Sequence, residues 1–94
     1  MIAVRVRGEV LDYLRKLPPE PRHALRVAIK GLAHERGDIR ALTDELEGFC
    51  RLRVGAYRVI FEYEMIEGQR TATCVFAGGR RWIYEVFQSR LGEA

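Results

Sequence analysis

Histidine, lysine and cysteine are scarce in this chain of 94 residues, with two of each. Two cysteines, Cys50 and Cys74, are too few for a disulfide scaffold, and no CxxC pair points to a metal or redox site. Both fall in apolar strand-like runs, where buried free thiols are expected. His23 and His34 lie on a helical stretch, so the C-terminal half has no histidine for acid–base work. No Asp/Glu/His cluster has metal-ligand spacing; neither a metal nor another cofactor is expected. Long apolar runs are also missing: none approaches the ~18–20 residues a membrane span needs. The opening MIAVRVRGEV has no signal-peptide core, and a cytoplasmic protein with no membrane partner is the expectation.

The present composition is globular, at 48% hydrophobic and 31% charged residues. There are no repeats, low-complexity tracts or linkers, so residues 1–94 are expected to form a single domain. A net charge of +3 is no polybasic tail, but fourteen arginines stand against only Lys16 and Lys30. Arginine suits phosphate recognition because its planar fork donates in pairs. On number alone the codon bias of a GC-rich genome is the better account, so position must decide.

Alternation of Ile2, Val4 and Val6 with polar residues predicts a half-buried strand over 1–7, with Arg5 and Arg7 as edge charges. Val10, Tyr13, Leu14 and Leu17 then fall at helical spacing until Pro18-Pro19 stops the run. A second helix is expected from Glu20 or Pro21, with Leu25, Ala28, Ile29, Leu32 and Ala33 as its stripe and Gly37 as its cap. Residues 38–48 read as a polar connector with room for one more helical turn. Three strand-like runs follow, at 49–54, 57–66 and 71–77, broken at Gly55-Ala56 and at 67–70. The last segment, Arg80 to Arg90, fits a short strand or a helical turn. The expected fold is α+β: an N-terminal strand, a helix hairpin, then an antiparallel β-meander with helices packed on one face.

Hairpin register carries the arginines further. A two-residue loop at Gly55-Ala56 sets Val54, Leu52 and Cys50 against Tyr57, Val59 and Phe61 on a core face. The other face then holds Arg53 directly opposite Arg58, with Arg51 opposite Ile60. Continued through 67–70, the register sets Phe61 against Phe76, Tyr63 against Cys74, and Gly79 level with Arg58, so Tyr57, Phe61, Tyr63 and Phe76 point to the core. Cys50 and Cys74 would sit roughly 9–10 Å apart, two strand spacings, beyond the ~7 Å a disulfide allows. Arg51, Arg53, Arg58 and Arg80 or Arg81 gather on one patch. Opposed like charges cost a few tenths to ~1 kcal/mol on a sheet. The patch therefore reads as an anion site beside Gly78-Gly79 or as a solvated face that Glu62 and Glu64 neutralise.

The run LEGFCRLRVGAYRVIFEY followed by TATCVFAGGRRWIYEVF resembles the RelE/ParE superfamily of toxins from type II toxin–antitoxin systems. The resemblance rests on Leu46/Gly48, Arg51/Arg53, Gly55, Tyr57-Arg58, Gly78, Arg80/Arg81 and Tyr84. It implies a RelE-like fold and, for RelE-type members, ribosome-dependent mRNA endoribonuclease activity in which a ribose 2′-hydroxyl attacks the adjacent phosphate. Arg58 matches the family arginine that stabilises the phosphorane. Arg51 and Arg53 stand where the family has two strand lysines, and Arg80 matches the arginine after the turn. Tyr84 matches a C-terminal tyrosine that stacks on a base or assists proton transfer. Arg81 and Trp82 are candidate RNA contacts, Trp82 equally a packing residue or part of an antitoxin groove. Arginine is a poor general acid or base because it keeps its proton, so these residues would act electrostatically. The implied partners are a cognate antitoxin, mRNA and the ribosome. A ParE-like, non-catalytic toxin of DNA gyrase and an inactive RelE-fold interaction module are the alternatives.

Overall fold

The computed structural model describes residues 1–93. Its elements run β1 (Ala3–Val6), α1 (Gly8–Arg15), α2 (Pro19–Gly31), β2 (Asp38–Ala41), β3 (Cys50–Val54), β4 (Tyr57–Ile66), β5 (Gln69–Gly79) and α3 (Ile83–Leu91). The five strands form one sheet in the order β1-β5-β4-β3-β2. The meander β2 to β5 is antiparallel, whereas β1 lies parallel to β5 at the opposite edge. The α+β architecture is as the sequence indicates.

Pro18 stops the first helix, and Pro19 opens the second at a position where a missing N–H costs nothing. Val10 and Leu14 of α1 and Leu25 and Ile29 of α2 are buried on one sheet face against Leu52, Val59, Phe61, Ala72 and Cys74. That is the larger core. The second helix stops short of Gly37: α2 ends at Gly31, a 3₁₀ turn covers Leu32–His34, and Glu35 takes left-handed backbone at φ 53°. Gly37 is not a helix cap. At φ +116° its missing Cβ leaves room for Leu52, whose Cδ1 would lie 2.8 Å from it. Glycine there lets the chain turn close over β3 and enter a further strand.

That strand, β2, stands where the sequence suggests only a polar connector. Asp38-Ile39-Arg40-Ala41 offers one large apolar side chain, too little for alternation to register, and pairing with β3 supplies what the pattern lacks. The expected extra helical turn is present as a 3₁₀ turn at Asp44–Leu46.

The β3–β4 register is the expected one, including Arg53 opposite Arg58. The β4–β5 register is not. Glu67 and Gly68, at φ 50° and 78°, make a two-residue turn, and Ile66 pairs with Gln69. Phe61 therefore faces Cys74 rather than Phe76, and Tyr63 faces Ala72. Ile60 pairs with Phe76, leaving Val75 as an extra residue in a β-bulge. The bulge puts Val75 and Phe76 together on the second face, so Phe76 leaves the main core. Beyond it Gly78, not Gly79, is level with Arg58.

The undecided C-terminal segment is a helix. Ile83 and Phe87 of α3 pack with Leu46, Ile60 and Val75 on the face opposite the helix hairpin. Phe87 contacts Phe49 edge-on at 5.0 Å and Phe76 at 5.6 Å between ring centroids. Such aromatic contacts add ~0.5–1.5 kcal/mol beyond area burial. A Glu9–Arg90 ion pair ties α3 to α1.

Candidate functional site

The arginines collect on the α3 side of the sheet, at the end where the β3–β4 hairpin turns. Pairing across three strands places Arg40 opposite Arg51, and Arg53 between Asp38 and Arg58. Arg40 is an exposed member that sequence reasoning missed. Once β2 is known, its alternation with Ile39 identifies it.

The members are not equivalent. Arg51 is only 8% exposed. Its Nη1 donates to the Asp38 carbonyl oxygen at 2.9 Å and to the Asp38 carboxylate at 3.1 Å. This guanidinium is already engaged and holds β2 against β3. Arg58 is half-buried, and its Nη1 donates to the carbonyls of Gly55 at 2.8 Å and Tyr57 at 2.9 Å. The hairpin turn thus fixes one nitrogen of Arg58, while its other N–H groups have no partner among the described residues. Arg53 is exposed and makes no side-chain hydrogen bond or ion pair among the described residues.

The backbone N–H of Arg80 donates to the Ala56 carbonyl at 2.9 Å. That bond pins the Gly79–Trp82 turn against the Gly55-Ala56 turn and brings Arg80 and Arg81 to the same end of the sheet as Arg58. Arg80 and Arg81 are exposed, as is Trp82 at 66%. Tyr84 begins α3 half-buried against the second core cluster, with Phe49 and Phe76. The structure therefore brings Arg53, Arg58, Arg80 and Arg81 to one end of the molecule. It assigns Arg51 a structural bond and packs one side of Tyr84.

A concave site lies beside Gly78-Gly79, but at the edge of the sheet and not among the arginines. It is a cleft of about 420 Å³ between α1 and α3, along the part of β5 that β1 leaves unpaired. Phe76, Ala77, Ile83 and Tyr13 line it, with Glu9, Asp12, Lys16 and Arg90 among its polar groups. None of the patch arginines lines it.

The thiols are inert by position. Cys50 and Cys74 both stand level with Phe61, on strands either side of it, and both are free. Burial pushes the Cys74 thiol up to about 12. Burial also raises Cys50, against the opposing pull of the nearby Arg70 charge. Among the described residues no group of His, Cys, Asp and Glu converges as a metal site requires, and no helix is long and apolar enough to cross a membrane.

No protein-family model and no curated protein matches the sequence. Solved structures do match. The chain is similar to a chain of the RelBE2 toxin–antitoxin complex of Mycobacterium tuberculosis, with 27% identity and a TM-score of 0.70 over 84% of this chain and 98% of that one. It also superposes on a chain of the RelB–RelE antitoxin–toxin complex of Methanococcus jannaschii, with 18% identity and a TM-score of 0.61 over 88% and 98% of the two chains. The protein has the RelE-like toxin fold.

Proposed function

We propose that this protein is the toxin of a toxin–antitoxin pair and a ribosome-dependent mRNA endoribonuclease. The observation that carries the reading is the excess of positive charge at this end of the sheet, where Asp38 is engaged by Arg51 and Arg53 faces Arg58 beside the Arg80-Arg81 turn. Two arginines opposed on a sheet are unfavourable unless an anion joins them. A phosphodiester supplies that anion, and its reaction supplies more of it.

When a ribose 2′-oxygen attacks the adjacent phosphorus, the phosphorane gains negative charge on its equatorial oxygens. Guanidinium groups held in place before the reaction stabilise that charge without reorganising. Arg58, fixed by its two carbonyl acceptors, is the held donor. Arg53 and Arg80 are exposed and hold no side-chain bond among the described residues. The P–O bond to the 5′-oxygen breaks, leaving a 2′,3′-cyclic phosphate and a 5′-hydroxyl. The 2′-hydroxyl proton is lost and the leaving oxygen gains one. Arginine is unsuited to both transfers, so Tyr84 or water carries them. The ribosome orients the substrate, and naked RNA is expected to be cut poorly. An antitoxin is the expected partner that holds the protein inactive.

The test is primer extension on an mRNA in a translating extract, comparing wild type with Arg58→Ala, Arg53→Ala and Tyr84→Phe. Ribosome-dependent cuts that fall on the order of 10²-fold in Arg58→Ala support the reading. Cuts that persist in Tyr84→Phe restrict the tyrosine to stacking. A folded, toxic protein that leaves mRNA intact overturns the ribonuclease reading and directs attention to gyrase.

A further inference from the structure

We propose that the cleft between α1 and α3 is a nucleobase subsite, taking the unpaired base of the nucleotide whose phosphate lies on the arginine end. The inference rests on the RNA reading above and gives the cleft a role that the patch arginines do not have. Three observations carry it.

The first is chemistry. The cleft floor is apolar and partly aromatic, from Tyr13, Phe76, Ala77 and Ile83. Its charged groups cancel, Glu9 and Asp12 against Lys16 and Arg90, and Glu9 is ion-paired to Arg90 across one end. A phosphate gains nothing there. A flat, neutral heterocycle whose edge carries both donors and acceptors fits such a surface. Its volume of about 420 Å³ is ample for one base.

The second is Trp82. It lines the cleft yet is 66% exposed, an indole left in water at the N-terminal end of α3. Unstacked bases are recognised by stacking on such side chains.

The third is adjacency. Gly78 lines the cleft and is the cross-strand partner of Arg58, so patch and cleft are one strand spacing apart, roughly 5 Å. Arg80 and Arg81 precede Trp82 directly. A nucleotide is itself divided this way, with an anionic backbone joined to a neutral aromatic base.

Trp82 is the single tryptophan and therefore reports on the cleft by its fluorescence. The probes are a short 2′-O-methyl oligoadenylate, which lacks the attacking hydroxyl, and its abasic counterpart, both at low salt. The blocking variant is Gly79→Leu: Gly79 lines the cleft, and a Cβ there meets nothing within 4 Å. Arg53→Ala monitors phosphate binding separately. The expected result is that the oligoadenylate quenches Trp82 and binds about tenfold more tightly than the abasic probe. Gly79→Leu should erase that difference while abasic binding stays dependent on Arg53. Equal binding of both probes, each still dependent on Arg53, overturns the cleft proposal and leaves the RNA reading standing. Failure of both probes to bind overturns the cleft proposal, and the primer-extension assay in the translating extract decides the RNA reading on its own. If Gly79→Leu spares the quench but weakens binding of a co-expressed antitoxin, the cleft is a protein groove and the proposal falls.

Discussion

Arg51 and Arg53 are two residues apart on one strand and on one face, yet they answer to different physics. Arg51 is buried on Asp38, so Arg51→Ala leaves the Asp38 carboxylate and carbonyl without their partner. A loss of about 1–3 kcal/mol is expected, read as a thermal midpoint lower by about 4–8 °C for each kcal/mol in a domain of this size. Arg53 is exposed and opposes another arginine. Arg53→Ala should leave the midpoint unchanged or slightly higher, since it relieves a like-charge pair, while mRNA cleavage falls. Calorimetry and primer extension on the same two variants separate the roles. Equal stability losses would sink the distinction. Cys74 gives a second prediction. Its thiol stays protonated in the fold up to about 12, whereas in the unfolded chain it ionises near its ordinary value of 9.0. Unfolding between those values releases a proton, so stability is full below the ordinary value and falls as pH rises, by about 1.4 kcal/mol per unit from this group. Urea midpoints measured at alkaline pH should therefore decline more steeply for wild type than for Cys74→Ala.

At the scale of elements, α3 depends on few anchors. Phe87 makes both aromatic contacts that hold it to the sheet, and Arg90 makes its link to α1. Phe87→Ala is expected to cost about 3–5 kcal/mol and to expose α3 to limited proteolysis before the sheet opens; uniform protease resistance would count against this. The same element shows what the sequence could and could not disclose. The β3–β4 hairpin was legible residue by residue because a two-residue loop leaves one register, and Arg53 opposite Arg58 followed from it. β5 was misplaced because its turn takes two residues where the expected register implies four, and because a bulge then adds a residue that no local pattern announces and moves Phe76 from one face to the other. β2 was invisible because a strand of four residues with one large apolar side chain is made by its neighbour, not by its own alternation. Of the candidate site, Arg53, Arg58, Arg80 and Arg81 could be read directly, whereas Arg40 could not because it stands on β2. The inequality of the arginines could not, because Arg51's partner Asp38 sits on the unseen strand. The separate cleft depends on β1 stopping short of Gly78, a property of two strands rather than of either.

Across the whole molecule, charge is divided along one sheet face. The arginines crowd the end at the Gly55-Ala56 turn, while farther along β4 Glu62 and Glu64 have Arg5 and Arg7 beside them, with the Thr73 hydroxyl donating to Glu64 at 2.5 Å. This polarity sets which end meets a polyanion. Each arginine that contacts a phosphate should contribute about 0.7 to the salt slope of single-strand binding. Arg53→Ala is expected to lower that slope by one contact in filter-binding titrations against salt. A change in affinity with no change in slope would place Arg53 off the backbone.

The sheet order β1-β5-β4-β3-β2 also has a consequence in time. Strands β2 to β5 are neighbours in sequence and can zip in succession, but β1, made first, pairs with a strand that begins at Gln69. During synthesis the N-terminal strand and the hairpin helices behind it have no finished surface to dock on until β5 is available, and such long-range closure is slow. The arginine end and the cleft share that dependence, since Gly78, Gly79, Arg80 and Arg81 all arrive with or after β5. The end of the molecule that presents the arginines is thus completed only after every strand of the sheet has been made.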